Sequence, residues 1–142
     1  MKELYKALAA FQQEVPVIHK GTTGYGYSYA DLPTIFEVIN PLLKKHGLGF
    51  TQAVDTFVEI LPAGNKTAIP VVNTTVFHIE SGESIESTTP IPTDVSLGKM
   101  NPFQVMGSGI TYIRRYALSS LLGLVTDKDT DAATPKGNDD PF

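Results

Sequence analysis

Two hydrophobic rhythms divide the chain. In residues 3–13, Leu4, Leu8 and Phe11 recur at spacings of four and three, which is one face of an α-helix. Val15-Pro16 ends that helix. A second helical stripe consists of Leu32, Ile35, Phe36, Ile39, Leu42 and Leu43. Asp31 can cap it, and Pro33 is tolerated in its first turn. Lys44, Lys45 and His46 fall in the last turn, where cations complement the helix dipole. Gly47 is a natural stop, and Pro41 predicts a kink. Between the two helices, residues 20–29 are rich in Gly and Tyr and read as a loop with extended character.

The period then changes from 3.6 to 2. Leu48, Phe50, Val54, Val58 and Ile60 alternate with Thr51, Asp55 and Glu59, which predicts a half-buried strand. Residues 62–66 form a turn, and residues 67–80, rich in Val, Thr, Ile and Phe, form a second strand. Ser81-Gly82 predicts a two-residue hairpin loop into a third strand near 83–91. Asn101 and Pro102 open a long helix. Its predicted core line is Phe103, Met106, Ile110, Ile113, Ala117, Leu121 and Leu124. The order predicts an α+β domain, an antiparallel three-stranded meander with helices packed on one face.

Length adds one constraint. At 142 residues the chain is one domain and can bury a core without metals or disulfides. Cys is absent, which excludes disulfides, thiolate metal sites and Cys nucleophiles. No apolar run approaches a membrane span, and the start lacks a signal-peptide core, so the sequence reads as a soluble cytoplasmic protein.

The net charge of −4 argues against a nucleic-acid binder when taken alone. It is unevenly spread. Residues 127–142 hold five acids against two lysines, or −3, and residues 1–126 hold ten acids against nine bases, or −1. The chain therefore divides into a near-neutral domain, 1–126, and an acidic tail, 127–142, whose Asp, Pro, Gly and Asn content predicts disorder.

Several motifs fail. Gly21-x4-Gly26 begins like a phosphate-binding loop, but Tyr27 and Ser28 stand where Lys and Ser/Thr belong. Asp127, Asp129 and Asp131 begin like a calcium loop, but the Gly and the bidentate Glu are replaced by Ala132 and Asn138. His19, His46 and His78 are too scattered for a metal site or a triad. No cofactor site and no catalytic constellation emerges, so the chain does not read as an enzyme. A metal-dependent nuclease using Asp127, Asp129 and Asp131 is the competing enzymatic reading, and it lacks a rigid shell around those acids.

Two features remain. Arg114 and Arg115 are adjacent on the long helix and point about 100° apart, which predicts that they flank its outer surface. Ser108, Thr111 and Arg115 share one face and could hold successive phosphates. The same residues also fit an ordinary solvated face. The second feature is Lys20 with Tyr25, Tyr27 and Tyr29, a base beside alternate rings, as single-stranded nucleic acid requires. A tyrosine cluster closing over the core fits equally.

Two longer segments resemble a known family. They are Tyr29-Ala-Asp-Leu32 followed by Ile39-Asn-Pro-Leu-Leu-Lys-Lys-His-Gly-Leu48, and Gly107-Ser-Gly-Ile-Thr-Tyr-Ile-Arg-Arg-Tyr-Ala-Leu-Ser-Ser-Leu-Leu-Gly123. Over about residues 3–131 the chain resembles the Erf (essential recombination function) family of phage single-strand annealing proteins. The resemblance implies a β-β-β-α core similar to that of eukaryotic annealing recombinases, ATP-independent pairing of complementary DNA strands, and assembly into rings or helical filaments. It also implies a DNA groove lined by basic residues of the long helix and the neighbouring hairpin. On that basis Arg114 and Arg115 are the prime phosphate contacts, Lys99 and Lys20 secondary ones, with Tyr27, Tyr29, Ser108 and Thr111 beside them. The alternative is a coating protein that recruits host replication or repair proteins. Its anchor would be Asp139, Asp140, Pro141 and Phe142, which resemble the acidic tip of bacterial single-stranded DNA-binding proteins.

Overall fold

A computed structural model describes residues 1–19, 30–93 and 98–126. Its elements run α1 (Lys2–Glu14), α2 (Leu32–Lys45), β1 (Leu48–Ile60), β2 (Lys66–His78), β3 (Ser84–Pro90) and α3 (Pro102–Leu122). The three strands form one antiparallel sheet in the order β1-β2-β3. This is the expected α+β arrangement with a C-terminal helix.

Strand pairing fixes which side chains share a face. Leu48, Phe50 and Gln52 of β1 lie opposite His78, Val76 and Thr74 of β2, and Val76 and Thr74 lie opposite Ile85 and Ser87 of β3. This face carries the core. Val76 and Leu48 pack with Leu4, Leu8 and Phe11 of α1, with Ile35, Ile39 and Leu43 of α2, and with Leu118 and Leu122 of α3. A smaller cluster joins Val72, Ile91 and Ile113. All three helices therefore cover one face of the sheet.

Helix ends obey the local chemistry. The Thr34 N–H donates to Asp31 Oδ1 at 3.1 Å, capping α2. Gly47 follows with φ +69°, the left-handed turn that Gly tolerates. Asn101 and Gln104 bond reciprocally in a capping box at the start of α3. Met1 supplies no side-chain cap to α1, and Glu83 from the β2–β3 turn replaces one by accepting from the Leu4 N–H at 2.7 Å. That bond holds the Glu83 carboxyl below its ordinary value.

Three expectations need correction. The loop between β2 and β3 is not the two-residue Ser81-Gly82 hairpin. It spans residues 79–83, closed by Gly82 N–H to the His78 carbonyl at 2.9 Å. β1 is half-buried only as far as Gln52, while Val54, Val58 and Ile60 are 55%, 56% and 68% exposed. Their alternation continues the core-facing side, but among the described residues no helix reaches that far. The core line of α3 is Gly109, Ile113, Ala117, Leu118 and Leu122, and Phe103 is 89% exposed. The first turn of α3 runs beyond the elements that would cover it.

Candidate nucleic-acid interface

α3 crosses the sheet with Ile113 and Ala117 buried against it. The two neighbouring arginines leave on different sides. Arg114 does not flank an open surface. Its Nε donates to Gln52 Oε1 at 3.3 Å, and Gln52 Nε2 donates to the Arg114 carbonyl and to Thr74 Oγ1, both at 3.0 Å. The guanidinium lies 5.7 Å from the Phe36 ring centre, and Phe36 in turn tilts against Phe50 at 5.6 Å. Arg114 is thus half-buried in the seam between α3, β1 and α2. It satisfies a polar group beside the fully buried Thr74.

Arg115 occupies the other flank. Its guanidinium carbon lies 5.1 Å from the centre of the Tyr112 ring. Tyr112 and Tyr116 are one turn apart, with ring centres 4.6 Å from each other and planes at 47°. Tyr112 rests partly on the Val72–Ile91–Ile113 cluster, whereas Tyr116 is 46% exposed. At 100° per residue, Ser108, Thr111, Tyr112 and Arg115 fall within one stripe, with Tyr116 at its edge. Thr111 is exposed and Ser108 half-exposed. The stripe therefore offers two hydroxyl donors, a cation and two rings in succession. Tyr112 and Tyr116 were overlooked in the sequence, although their spacing of four is the signal for ring contact on one helix face. Gln52 was overlooked too; a polar residue at a core-facing strand position was its signal.

The remaining candidates are elsewhere. Lys99 is exposed before the first turn of α3, so the 1.5 Å rise per residue places it roughly 20 Å from Arg115. Lys20, Tyr25, Tyr27 and Tyr29 lie outside the described residues, as do Asp127, Asp129 and Asp131 and the tip residues Asp139, Asp140, Pro141 and Phe142. The hairpin of β1 and β2 contributes little positive charge. Over residues 53–70 it carries Asp55, Glu59 and Lys66. Among the described residues, no three His, Asp or Glu side chains are grouped so as to hold a metal ion. His46 is 2.5 Å from Glu14, and His78 bonds Ser81 Oγ at 2.8 Å.

A family model described as the ERF superfamily matches residues 4–140. The chain belongs to the ERF superfamily. It is also 29% identical over 137 residues to the Essential recombination function protein of Salmonella phage P22. The match covers 95% of this chain and 62% of that protein, so the chain spans somewhat less than two thirds of the relative it matches. No solved structure matches.

Family membership also clarifies what the two resembling segments do locally. Ala30 is buried and Asp31 caps α2. Ile39, Leu43 and Leu48 are core. Within the longer ERF segment, Gly109, Ile113, Ala117, Leu118 and Leu122 are buried, and Gly123 ends α3 in a left-handed turn with φ 74°. Gly109 lets Ile91 approach, since a Cβ there would meet its Cγ2 at 3.2 Å. Packing and capping thus account for most of the segment. They leave Thr111, Arg115 and Tyr116 without a role in the core. Among the described residues no helix is long and apolar enough to cross a membrane.

Proposed function

We propose that the chain binds single-stranded DNA and pairs complementary strands without ATP, in phage recombination. The observation that carries this reading is the stripe Ser108–Thr111–Tyr112–Arg115–Tyr116. A single strand presents phosphates and unstacked bases, and the stripe presents hydroxyls and a guanidinium for the first and rings for the second. It lies inside the segment that resembles other ERF proteins. The recombination function in the name of the P22 relative agrees with it.

Pairing needs no covalent step and therefore no catalytic residue. Neutralising phosphates on each strand lowers their mutual repulsion, and rings that hold bases apart keep their pairing edges open. Strands held on separate copies must be brought together, so the reading includes self-assembly. The test is pairing of two complementary labelled oligonucleotides in the absence of nucleotide. Faster pairing than in buffer is expected. Binding without pairing would convert the reading to a coating protein, and cleavage with magnesium would convert it to a nuclease.

A further inference from the structure

β1 has one paired edge and one open edge. The carbonyl of Pro70 on β2 accepts from the Ile91 N–H at 2.8 Å, so it points toward β3. Thr56 lies directly opposite Pro70 on β1. Opposed residues of an antiparallel pair exchange both backbone bonds or neither, so Thr56 turns its N–H and carbonyl away from β2. The same orientation returns at every second residue. Val54, Thr56, Val58 and Ile60 therefore direct their backbone groups to the outer edge, where no strand among the described residues meets them. Leu61, one position out of phase, bonds back to the Asn65 carbonyl at 2.7 Å. An edge of this kind is a template for an added strand.

The two faces beside this edge differ in chemistry. Strand alternation puts Val54, Val58 and Ile60 on the side of the helices, and all three are exposed. Asp55, Phe57 and Glu59 project from the opposite side, beside Val71, Ile69 and Thr67 of β2. On that side β1, β2 and β3 carry a third acid, Glu86, and no Lys, Arg or His. Asp55 also guards the edge. Its Oδ1 accepts from the Thr56 N–H at 2.8 Å and so covers one of the edge donors. Its Oδ2 accepts from Asn73 Nδ2 at 3.4 Å, and Asn73 Oδ1 accepts in turn from Thr88 Oγ1 at 2.8 Å. A strand that adds here must draw the Asp55 carboxylate off Thr56. A cation beside it can do so, and a neutral or acidic side chain cannot.

We infer that the open edge of β1 takes up an extended segment of another protein in which aliphatic residues alternate with Arg or Lys. Backbone bonds to Val54, Thr56, Val58 and Ile60 supply the affinity, and the alternating side chains supply the choice of partner. The aliphatic residues lie beside Val54, Val58 and Ile60. The basic ones lie beside Asp55 and Glu59, with the Phe57 ring between those two acids as a further contact for a guanidinium. Charge and pattern together select this occupant. Neither edge strand of the sheet, β1 or β3, holds a Lys or Arg, so a second copy pairing through either of its edges brings acid to acid. DNA and residues 127–142, whose charge is −3, are repelled by the same acids. This contact lies apart from the stripe on α3 and goes beyond the proposed function.

Fluorescence anisotropy with the full chain and labelled peptides tests it. The probe is four Val-Arg repeats. The controls are four Val-Ser repeats and a block peptide of the same composition as the probe, four Val followed by four Arg. The alternating probe should bind about tenfold more tightly than either control, because only it matches the edge and both faces at once. Val58→Pro removes an N–H that points to the open edge and no bond to β2, so the fold should persist by circular dichroism while most of the probe affinity is lost. Glu59→Lys should lose it as well and decides the matter if Val58→Pro does not fold. Glu80→Lys makes the same change of charge at an exposed position in the β2–β3 loop, at the other end of the sheet, and should retain tight binding. Absence of probe binding at millimolar concentration overturns the inference. So does a block peptide that binds equally, or undiminished affinity in Val58→Pro or Glu59→Lys. Light scattering and anisotropy on a labelled single strand identify the other occupants. A Val58→Pro that loses molar mass or DNA affinity while keeping the probe assigns the edge to a second copy or to DNA, and overturns the inference too.

Discussion

Alanine at Arg114 and alanine at Arg115 should have opposite consequences, although the residues are adjacent. Arg114→Ala removes the hydrogen bond to Gln52 at 3.3 Å, which contributes about 1 kcal/mol. It also removes the guanidinium 5.7 Å above Phe36, a contact contributing about 0.5–1 kcal/mol. The half-buried stem packs in the seam as well. A loss of about 2 kcal/mol follows, which for a chain of this length lowers Tm by roughly 6–8 °C. Arg115→Ala removes a contact with Tyr112 at 5.1 Å on the outer flank of α3, and Tm should fall by less than in Arg114→Ala. The order reverses in DNA binding. If Arg115 holds one phosphate, its loss should reduce the slope of log affinity against log salt by about 0.7. Arg114→Ala should leave the slope unchanged. Thermal melts by circular dichroism and anisotropy titrations at several salt concentrations read both quantities. The reasoning fails if Arg114→Ala melts with the wild type, or if Arg115→Ala leaves the salt slope intact.

Tyr116→Ala should weaken single-strand binding by about 1–3 kcal/mol, or roughly 5- to 150-fold, without unfolding the chain, and Tyr116→Phe should restore it; equal losses in both would refute stacking. The Glu14 carboxyl is held below its ordinary value of 4.5, first by the hydrogen bond from Lys45 at 2.7 Å and then by that with His46. A lowered folded value stabilises above pH 4.5 and is lost as pH falls through it, so the stability advantage of wild type over Glu14→Gln in urea titrations should shrink below about pH 4.5. An advantage that grows on acidification would contradict the tie. Deleting residues 139–142 should weaken binding to a host protein or tighten DNA binding, and no change in either would end the proposal for the acidic tip.

How much of this was legible in the sequence depends on what each signal reports. Hydrophobic period reports one face of an element, so it located the three helices and three strands among the described residues. It does not report how far the covering element extends. Val54, Val58 and Ile60 alternate like core residues, yet the helices end short of them. Phe103 starts a regular heptad-like line, yet among the described residues no element covers the first turn of α3. Turn chemistry was legible where one side chain decides it, as at Asp31 and Asn101. It failed at Ser81-Gly82, because the bond between the His78 N–H and the Glu83 carbonyl closes a wider loop. The arginine pair was legible as two residues on different flanks. What lay under each flank was not, because Gln52 is 62 positions away from Arg114.

The charge of −4 can now be followed to its physical locations. Three of its units lie in residues 127–142. Elsewhere, Lys45 is paired with Glu14, Arg114 is held in a seam, and Asp55 and Glu59 sit on the apolar arm. Among the described residues, positive charge on and beside α3 outside that seam is confined to Arg115 and the exposed Lys99 before the helix, which is not a broad basic field. One guanidinium flanked by two rings gives a weak electrostatic grip and a comparatively large stacking contribution. Such a surface binds a long strand well only if it is repeated, since several modest contacts on linked copies act at high effective concentration. The self-assembly included in the proposed function would supply that repetition, and a near-neutral domain could then hold DNA through many copies of one modest contact.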